Sequence, residues 1–232
     1  MQTSSNQHSA TAMLTVISDT ICPWCYVGKR RLEAALWELE GEGLAFDVEW
    51  RPYQLNPGMP EGGMDRREYR AAKFGAARSD ALDRQMVDTG AEIGLSFRYD
   101  LIERTPSTLA SHVLIADARR AGGLAMQDQA VEALFSAYFT EGRDVGRSEV
   151  LREIAQEVGF DHQKSVGAKL WELVEQEDVR AREAGVSGVP TFLLNDRLLF
   201  TGAQPSEVIV AALRDANATL DGLDARNVEI RL

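Results

Sequence analysis

Two thiols are the groups in this chain best suited to chemistry. Cys22 and Cys25, in the run Ile21-Cys22-Pro23-Trp24-Cys25-Tyr26, are the only cysteines in 232 residues. A thiolate attacks a disulfide sulfur through a mixed disulfide, and a second thiol nearby can close the new bond and expel the partner. The same spacing serves as half of a zinc site, but structural zinc takes four Cys or His ligands. His8, His112 and His162 show no paired spacing and there is no second C-x-x-C. No metal site is therefore expected. Two inert core thiols are the remaining alternative. The placement of every cysteine in one C-x-x-C favours a redox pair instead.

The elements around the pair decide what it can do. An apolar run, Met13 to Ile17, precedes it, and Leu32, Ala35, Leu36 and Leu39 follow at helical spacing. The thiols thus fall where a strand (Met13–Ser18) ends and a helix (Cys22 to about Glu40) begins. A helix start carries unpaired N–H groups and a partial positive charge, both of which favour a thiolate. Cysteines in such places titrate at roughly 3.5–7.5. Cys22 faces the helix start and is the expected nucleophile. Cys25, one turn deeper, is the expected resolving thiol. Asp19, three residues before Cys22, could accept a thiol proton or cap the turn; Asp is common at helix starts.

Leu44–Trp50 alternates apolar and polar and reads as a second strand ended by Arg51-Pro52, giving a parallel βαβ unit. A loop with two prolines and three glycines, Asn56 to Met64, marks a boundary. From Asp65 to about Ala184 the pattern predicts helices only: Asp65–Gly75; Ser79–Glu92, capped by Ser79 or Asp80; one opened by Thr105-Pro106 and stopped at Gly122-Gly123; Ala125–Thr140; one capped by Ser148 and ended by Gly159; and His162–Ala184. Thr191–Leu194 and Leu198–Thr201 read as a hairpin about Asn195-Asp196, followed by a helix from Pro205 to about Leu220. Residues 1–11 read as a disordered leader. Trp24 should face substrate, with Trp37, Trp50 and Trp171 in the core. The charged run Glu172–Glu183 should be a solvated helix face.

Charge and composition exclude several classes. A net charge of -11 disfavours nucleic acid, which calls for a basic surface. No run is long and apolar enough to cross a bilayer, so no membrane partner is expected. The first twelve residues lack the basic start and apolar stretch of a secretory signal. A cytoplasmic protein is expected, in which paired cysteines serve redox or metal chemistry rather than a structural staple.

Two distant signals, Cys22-Pro23-Trp24-Cys25 and Val189-Pro190-Thr191 at the start of the third strand, together resemble the thioredoxin superfamily. The long helical insert resembles the DsbA-like class. Ser18-Asp19, Cys22 to Tyr26, Gly185 to Pro190 and Thr201-Gly202-Ala203-Gln204-Pro205 are similar to its FrnE-like branch, grouped with 2-hydroxychromene-2-carboxylate isomerases. The resemblance spans residues 13–217. It implies an α/β, thioredoxin-like fold interrupted by a long all-helical insertion, with residues 12–60 and 186–220 as the two parts of the thioredoxin-like domain and 61–185 as the insertion domain.

The resemblance also implies a cis bond before Pro190, with the Val189 backbone beside Cys22 placed to pair with an extended substrate. Pro23, Trp24, Val189 and Pro190 become substrate-binding residues on this basis. His112 joins them, because Ser107-Thr108-Leu109-Ala110-Ser111-His112 is similar to a family segment that lines the pocket facing the dithiol. The implied activity is thiol–disulfide exchange with a disulfide- or dithiol-containing protein or small molecule. It requires no cofactor, with glutathione as a candidate redox partner and an oligomer open. Strongly oxidising DsbA proteins carry a histidine where Trp24 stands, so a potential of roughly -270 to -120 mV is expected. The alternative is a glutathione-dependent isomerase or transferase of the superfamily. Such relatives typically replace the nucleophilic cysteine with serine and lack the second thiol. A peptide-binding chaperone role ranks third.

Overall fold

Strand β1 (Ala12–Ser18) is buried on both faces from Leu14 onward, as expected of an interior strand covered by helices on each side. This computed structural model describes residues 12–162 and 166–229. The expected leader, 1–11, lies outside the described residues, as does the segment 163–165 within the sixth expected helix. After β1 come α1 (Pro23–Gly41) and β2 (Phe46–Pro52), which runs parallel to β1 with Ala12 opposite Phe46 and Ser18 opposite Pro52. β2 is an edge strand, so Pro52 can sit in its last position without costing a ladder bond. The strand starts two residues later than its alternation suggests. The Leu44 amide is taken by the Leu39 carbonyl at the end of α1, which holds that residue in the helix exit.

The inserted block opens with β3 (Met64–Asp65), α2 (Arg66–Phe74) and α3 (Ala76–Ala91), then β4 (Arg104–Thr105). To the expected helices the structure adds one small antiparallel ladder, Met64 opposite Thr105. Gly63 makes it possible: at φ +67 a Cβ would sit 2.6 Å from the Thr105 carbonyl oxygen. Thr105 therefore caps no helix. The residue before a proline favours extended backbone, and Thr105 spends it in β4. α4 (Leu109–Phe139) begins after Thr108, and its two halves meet at a kink where Gly122 and Gly123 leave helical geometry. That kink is the expected break between two helices. Neither Ser79 nor Asp80 caps α3. Gly75 holds that position, and Ser79 is buried inside the helix, where its hydroxyl accepts from Arg70 Nε at 2.8 Å.

α5 (Ser148–Val158) ends at Gly159 in the left-handed region, as expected, although Arg147 rather than Ser148 precedes its first turn. α6 (Ala168–Glu183) starts later than predicted. β5 (Thr191–Leu194) and β6 (Arg197–Thr201) form the hairpin, with Asn195 and Asp196 both at positive φ as a two-residue turn demands. α7 (Ser206–Glu229) closes the chain. The sheet order is β2-β1-β5-β6, with β5 antiparallel to β1, so both ends of the insertion return to one sheet.

Sheet and insertion share a core. Leu14, Trp50, Tyr26, Phe135, Phe139 and Phe192 belong to one apolar cluster. Tyr26 of α1 stacks on Phe135 of α4 at 5.0 Å between ring centroids. The free edge of β2 is satisfied from α4: buried Gln127 accepts from the Trp50 amide at 3.1 Å and donates to the Trp50 carbonyl at 2.9 Å. Trp50 is core, as expected, but Trp37 is 79% exposed on the outer face of α1. Nor is the charged face of α6 wholly solvated. Asp178 is buried, accepts from the Gln54 amide at 2.8 Å and pairs with Arg182 at 3.1 Å, fastening α6 to the segment after β2.

Candidate active site

The dithiol stands where β1 turns into α1. The Asp19 carbonyl accepts the Cys22 amide at 3.0 Å, Cys22 is the N-cap in extended conformation, and Pro23 occupies the first helical position. Proline fits there because its missing N–H would have had no helical partner. The Cys22 carbonyl then accepts the Cys25 amide at 3.0 Å. This local geometry makes the two thiols unequal. Cys22 borders a cavity of about 400 Å³ together with Pro23 and Trp24, whereas Cys25 is fully buried. Burial pushes the Cys25 thiol well above its ordinary range, and the Cys22 side chain beside it adds to the effect. Cys25 is held as a thiol.

The segment before β5 closes the other side. The Val189–Pro190 bond is cis, and the Cys22 thiol donates to the Val189 carbonyl at 3.6 Å. The Pro190 carbonyl accepts from the Gly202 amide at 2.8 Å, and the Thr191 hydroxyl donates to the Gly188 carbonyl, also at 2.8 Å. α1 approaches this segment at Gly28, where a Cβ would stand 3.1 Å from Pro190 Cγ and 3.5 Å from Phe192 Cζ. Glycine is what lets the helix bearing the thiols lie against the strand bearing Pro190.

Two buried polar side chains, Asp19 and His112, face each other behind the turn that carries the dithiol. Asp19 is fully buried; one carboxylate oxygen accepts from the Leu55 amide at 2.7 Å, and the other faces His112 Nε2 at 3.4 Å. The side chain does not cap α1. Asp19 Oδ1 and His112 Nε2 make no hydrogen bond, although both atoms are buried. The Asp19 carboxylate lies close enough to Cys25 to add, as a minor cause, to the upward push on its thiol. A hydroxyl pair, Thr20 and Ser111 at 2.8 Å, links the same turn to α4.

The structure thus gathers Cys22, Pro23, Trp24 and Val189 on one cavity, with buried Pro190 next to Val189. His112 stands apart from that cavity. It lies on α4 behind the turn, bordering a separate space of about 350 Å³ with Ser18, Trp50 and Pro52. The far wall of the Cys22 cavity comes from the insertion: Arg66, Tyr69, Arg70 and Lys73 of α2, with Tyr99 and Tyr138. Sequence reasoning passed over these residues. The available signal was the spacing of Arg66, Arg70 and Lys73, which puts three cations on one helix face. Among the described residues, no group of three or more His, Cys, Asp or Glu side chains is placed to hold a metal ion.

A family model describing a DSBA-like thioredoxin domain matches residues 13–214. The chain belongs to that family. The probable DsbA oxidoreductase of Streptomyces coelicolor is 28% identical and superposes over 89% of this chain and 90% of its own with a TM-score of 0.76. Two further structures share the fold at lower identity. The 2-hydroxychromene-2-carboxylate isomerase is 15% identical, covers 94% of this chain and 98% of its own, and gives a TM-score of 0.61. The cytosolic disulfide reductase DsbM of Pseudomonas aeruginosa, solved with glutathione, is 19% identical, covers 95% of this chain and all of its own, and gives 0.55. This member of the DsbA family is a disulfide oxidoreductase with a thioredoxin-like fold split by a helical insertion. No helix among the described residues is long and apolar enough to cross a membrane.

Proposed function

We propose that the Cys22–Cys25 pair exchanges disulfides directly, with Cys22 as nucleophile and Cys25 as resolving thiol. The observation that carries this is the inequality of the two sulfurs: Cys22 opens onto a cavity and Cys25 is sealed and held protonated. In the reducing direction the Cys22 thiolate bonds to one substrate sulfur, the substrate S–S bond breaks, and the other half departs as a thiolate. Cys25 then gives up its proton and attacks the Cys22 sulfur, forming the Cys22–Cys25 disulfide and releasing the second half. Two electrons pass from the protein to the substrate; the reverse sequence oxidises a dithiol. Neither step calls for a metal or an organic cofactor.

A sealed thiol needs a nearby acceptor for its proton. Asp19 is the buried carboxylate whose charge reaches Cys25, with His112 facing its other side, and we assign Asp19 that role. Pro23, Trp24, Val189 and Pro190 form the substrate edge. The Val189 carbonyl at 3.6 Å from Cys22 Sγ is positioned for an extended segment or a small disulfide to pair beside it. Glutathione is the proposed exchange partner in a reducing cytoplasm. The isomerase-type alternative finds support in shared fold alone, while the presence of both thiols favours exchange.

The test is trapping. Cys25→Ser should accumulate a mixed disulfide between Cys22 and a small disulfide substrate, seen as an added half-substrate by intact mass. Cys22→Ser should accumulate none. Equal labelling of both variants, or none in either, would overturn the assignment.

A further inference from the structure

The cavity over Cys22 is bordered by an excess of cations, in a chain whose net charge is negative. Three cations of α2 border it, Arg66, Arg70 and Lys73, against one carboxylate, Asp83. Arg66 and Arg70 both pair with Asp83, each at 2.7 Å. Lys73 donates to the neutral oxygens of Asn56 at 3.0 Å and Tyr69 at 2.6 Å, and among the described residues it has no carboxylate partner. The wall is left with two positive charges, in a protein whose net charge is -11. A second observation points the same way. Tyr99 lines the cavity with a buried hydroxyl that has no hydrogen-bond partner, and burial pushes its ionisation far upward, so it stays an O–H donor. The Arg66 guanidinium lies 4.7 Å over the same ring.

The cavity lining thus includes a residue with an unpartnered donor, Tyr99, and a cation without a carboxylate partner among the described residues, Lys73, which also lies 5.2 Å over the Tyr69 ring. Both are groups that suit an anionic oxygen. Much of the remaining lining is apolar, including Trp24, Met86, Ile102 and Phe139. A space of about 400 Å³ suits a small molecule, since ligand pockets run from roughly 300 to 1,000 Å³. We propose that the cavity binds small disulfides bearing a carboxylate, which Lys73 and the Tyr99 hydroxyl hold while the S–S bond is presented to Cys22. This rests on the dithiol chemistry above and names the substrate class for it. Cys22 bonds to one half of the disulfide, the other half leaves as a carboxylated thiolate, and Cys25 displaces the first half. The protein supplies both electrons.

The experiment is single-turnover oxidation of the fully reduced protein by three disulfides of matched size: dithiodipropionate (anionic), bis-hydroxyethyl disulfide (neutral) and cystamine (cationic). Trp24 fluorescence follows the reaction, and each rate is divided by that of the same disulfide with dithiothreitol to remove intrinsic reactivity. The overall negative field of the chain favours cystamine, so an anionic preference must come from the cavity. The expected normalised anionic-to-cationic ratio is about tenfold or more at low salt. It should collapse toward unity between 0.01 and 1 M salt, where the Debye length falls from about 30 to about 3 Å.

Lys73→Glu should lower that ratio at least about fivefold, and Tyr99→Phe should lower it too. Arg214→Glu, an equal charge change at the Glu42 pair on α7, should leave it in place. A wild-type ratio near or below one, or a ratio that Lys73→Glu does not move, overturns the carboxylate site while the neutral disulfide still reports exchange. Failure with all three disulfides overturns the exchange chemistry and this site with it.

Discussion

Replacing Asp19 by Asn separates two roles that the buried carboxylate could play, because they change the rate in opposite directions. Asparagine keeps the volume and keeps an oxygen for the Leu55 amide at 2.7 Å, so the turn should survive. As a fixed charge alone, Asp19 adds to the upward push on the Cys25 thiol; removing it would free more thiolate and speed resolution. As the proton acceptor, Asp19 takes the Cys25 proton, and its loss slows resolution. Burial is the largest cause of the Cys25 shift and the Asp19 charge the smallest, so the electrostatic gain is minor. Positioned general bases are worth about 10²–10⁴-fold, so the acceptor effect should win. Mixed-disulfide formation and resolution can be read separately by acid quench and intact mass after mixing reduced protein with excess disulfide. Resolution should slow about 100-fold in Asp19→Asn relative to the first phase. In wild type, resolution should keep climbing with pH past the usual thiol range, since the raised Cys25 group loses its proton late. Resolution at the wild-type rate, or faster, would refute the acceptor role.

Two further outcomes follow from packing and charge. Gly28→Ala gains up to about 1 kcal/mol of helix propensity, but pushes a methyl to 3.1 Å from Pro190 Cγ; overpacking costs about 1–3 kcal/mol, so the urea midpoint should fall or hold, and disulfide reduction should slow as Val189 shifts from Cys22. A stabilised variant with wild-type rates would contradict the close approach. Lys29 is buried beside Asp128 at 2.9 Å and Glu132 at 3.6 Å, but those carboxylates are partly exposed and can rehydrate, so Lys29→Met should cost about 1–3 kcal/mol in urea unfolding, below the 3–5 of a fully buried pair. Burial opposes the Lys29 charge, yet Asp128 and Glu33 more than offset it and raise its pKa. The stability it contributes is therefore whole at neutral pH and lost only as pH rises through that raised value. The stability gap between wild type and Lys29→Met should begin to narrow above about pH 10.5 and keep narrowing as pH passes the raised value, and a constant gap would contradict the pairing.

The parts of the fold legible in the sequence are those written in local chemistry. Cys22-Pro23 announces a helix start, Gly159 a helix end and Asn195-Asp196 a two-residue turn, because each demands a backbone state that its own residues supply. The features that were not legible are long-range. Gln127 completes the edge of β2 from 77 residues away, and Asp178 accepts from Gln54 across 124. Lys29 is buried only because α4 brings Asp128 and Glu132 to it. No periodicity marks a polar side chain as buried when its partner arrives from another element. Thr105-Pro106 misled because the same dipeptide serves a helix start and a strand end; the deciding partner, Met64, lies forty-one residues earlier. Trp37 misled because size suggests burial, whereas its place on α1 faces outward. At the site, the dithiol and Pro190 were legible as motifs. The cationic wall of α2 needed the fold to show which cavity it borders.

The most direct test of the central claim is the redox equilibrium of the Cys22–Cys25 pair in glutathione buffers, read by Trp24 fluorescence with Cys22→Ser as the control. A reversible two-electron transition within roughly -270 to -120 mV, absent in Cys22→Ser, is the predicted result. A pair that no buffer oxidises, or a fluorescence change that persists in Cys22→Ser, would contradict a working dithiol.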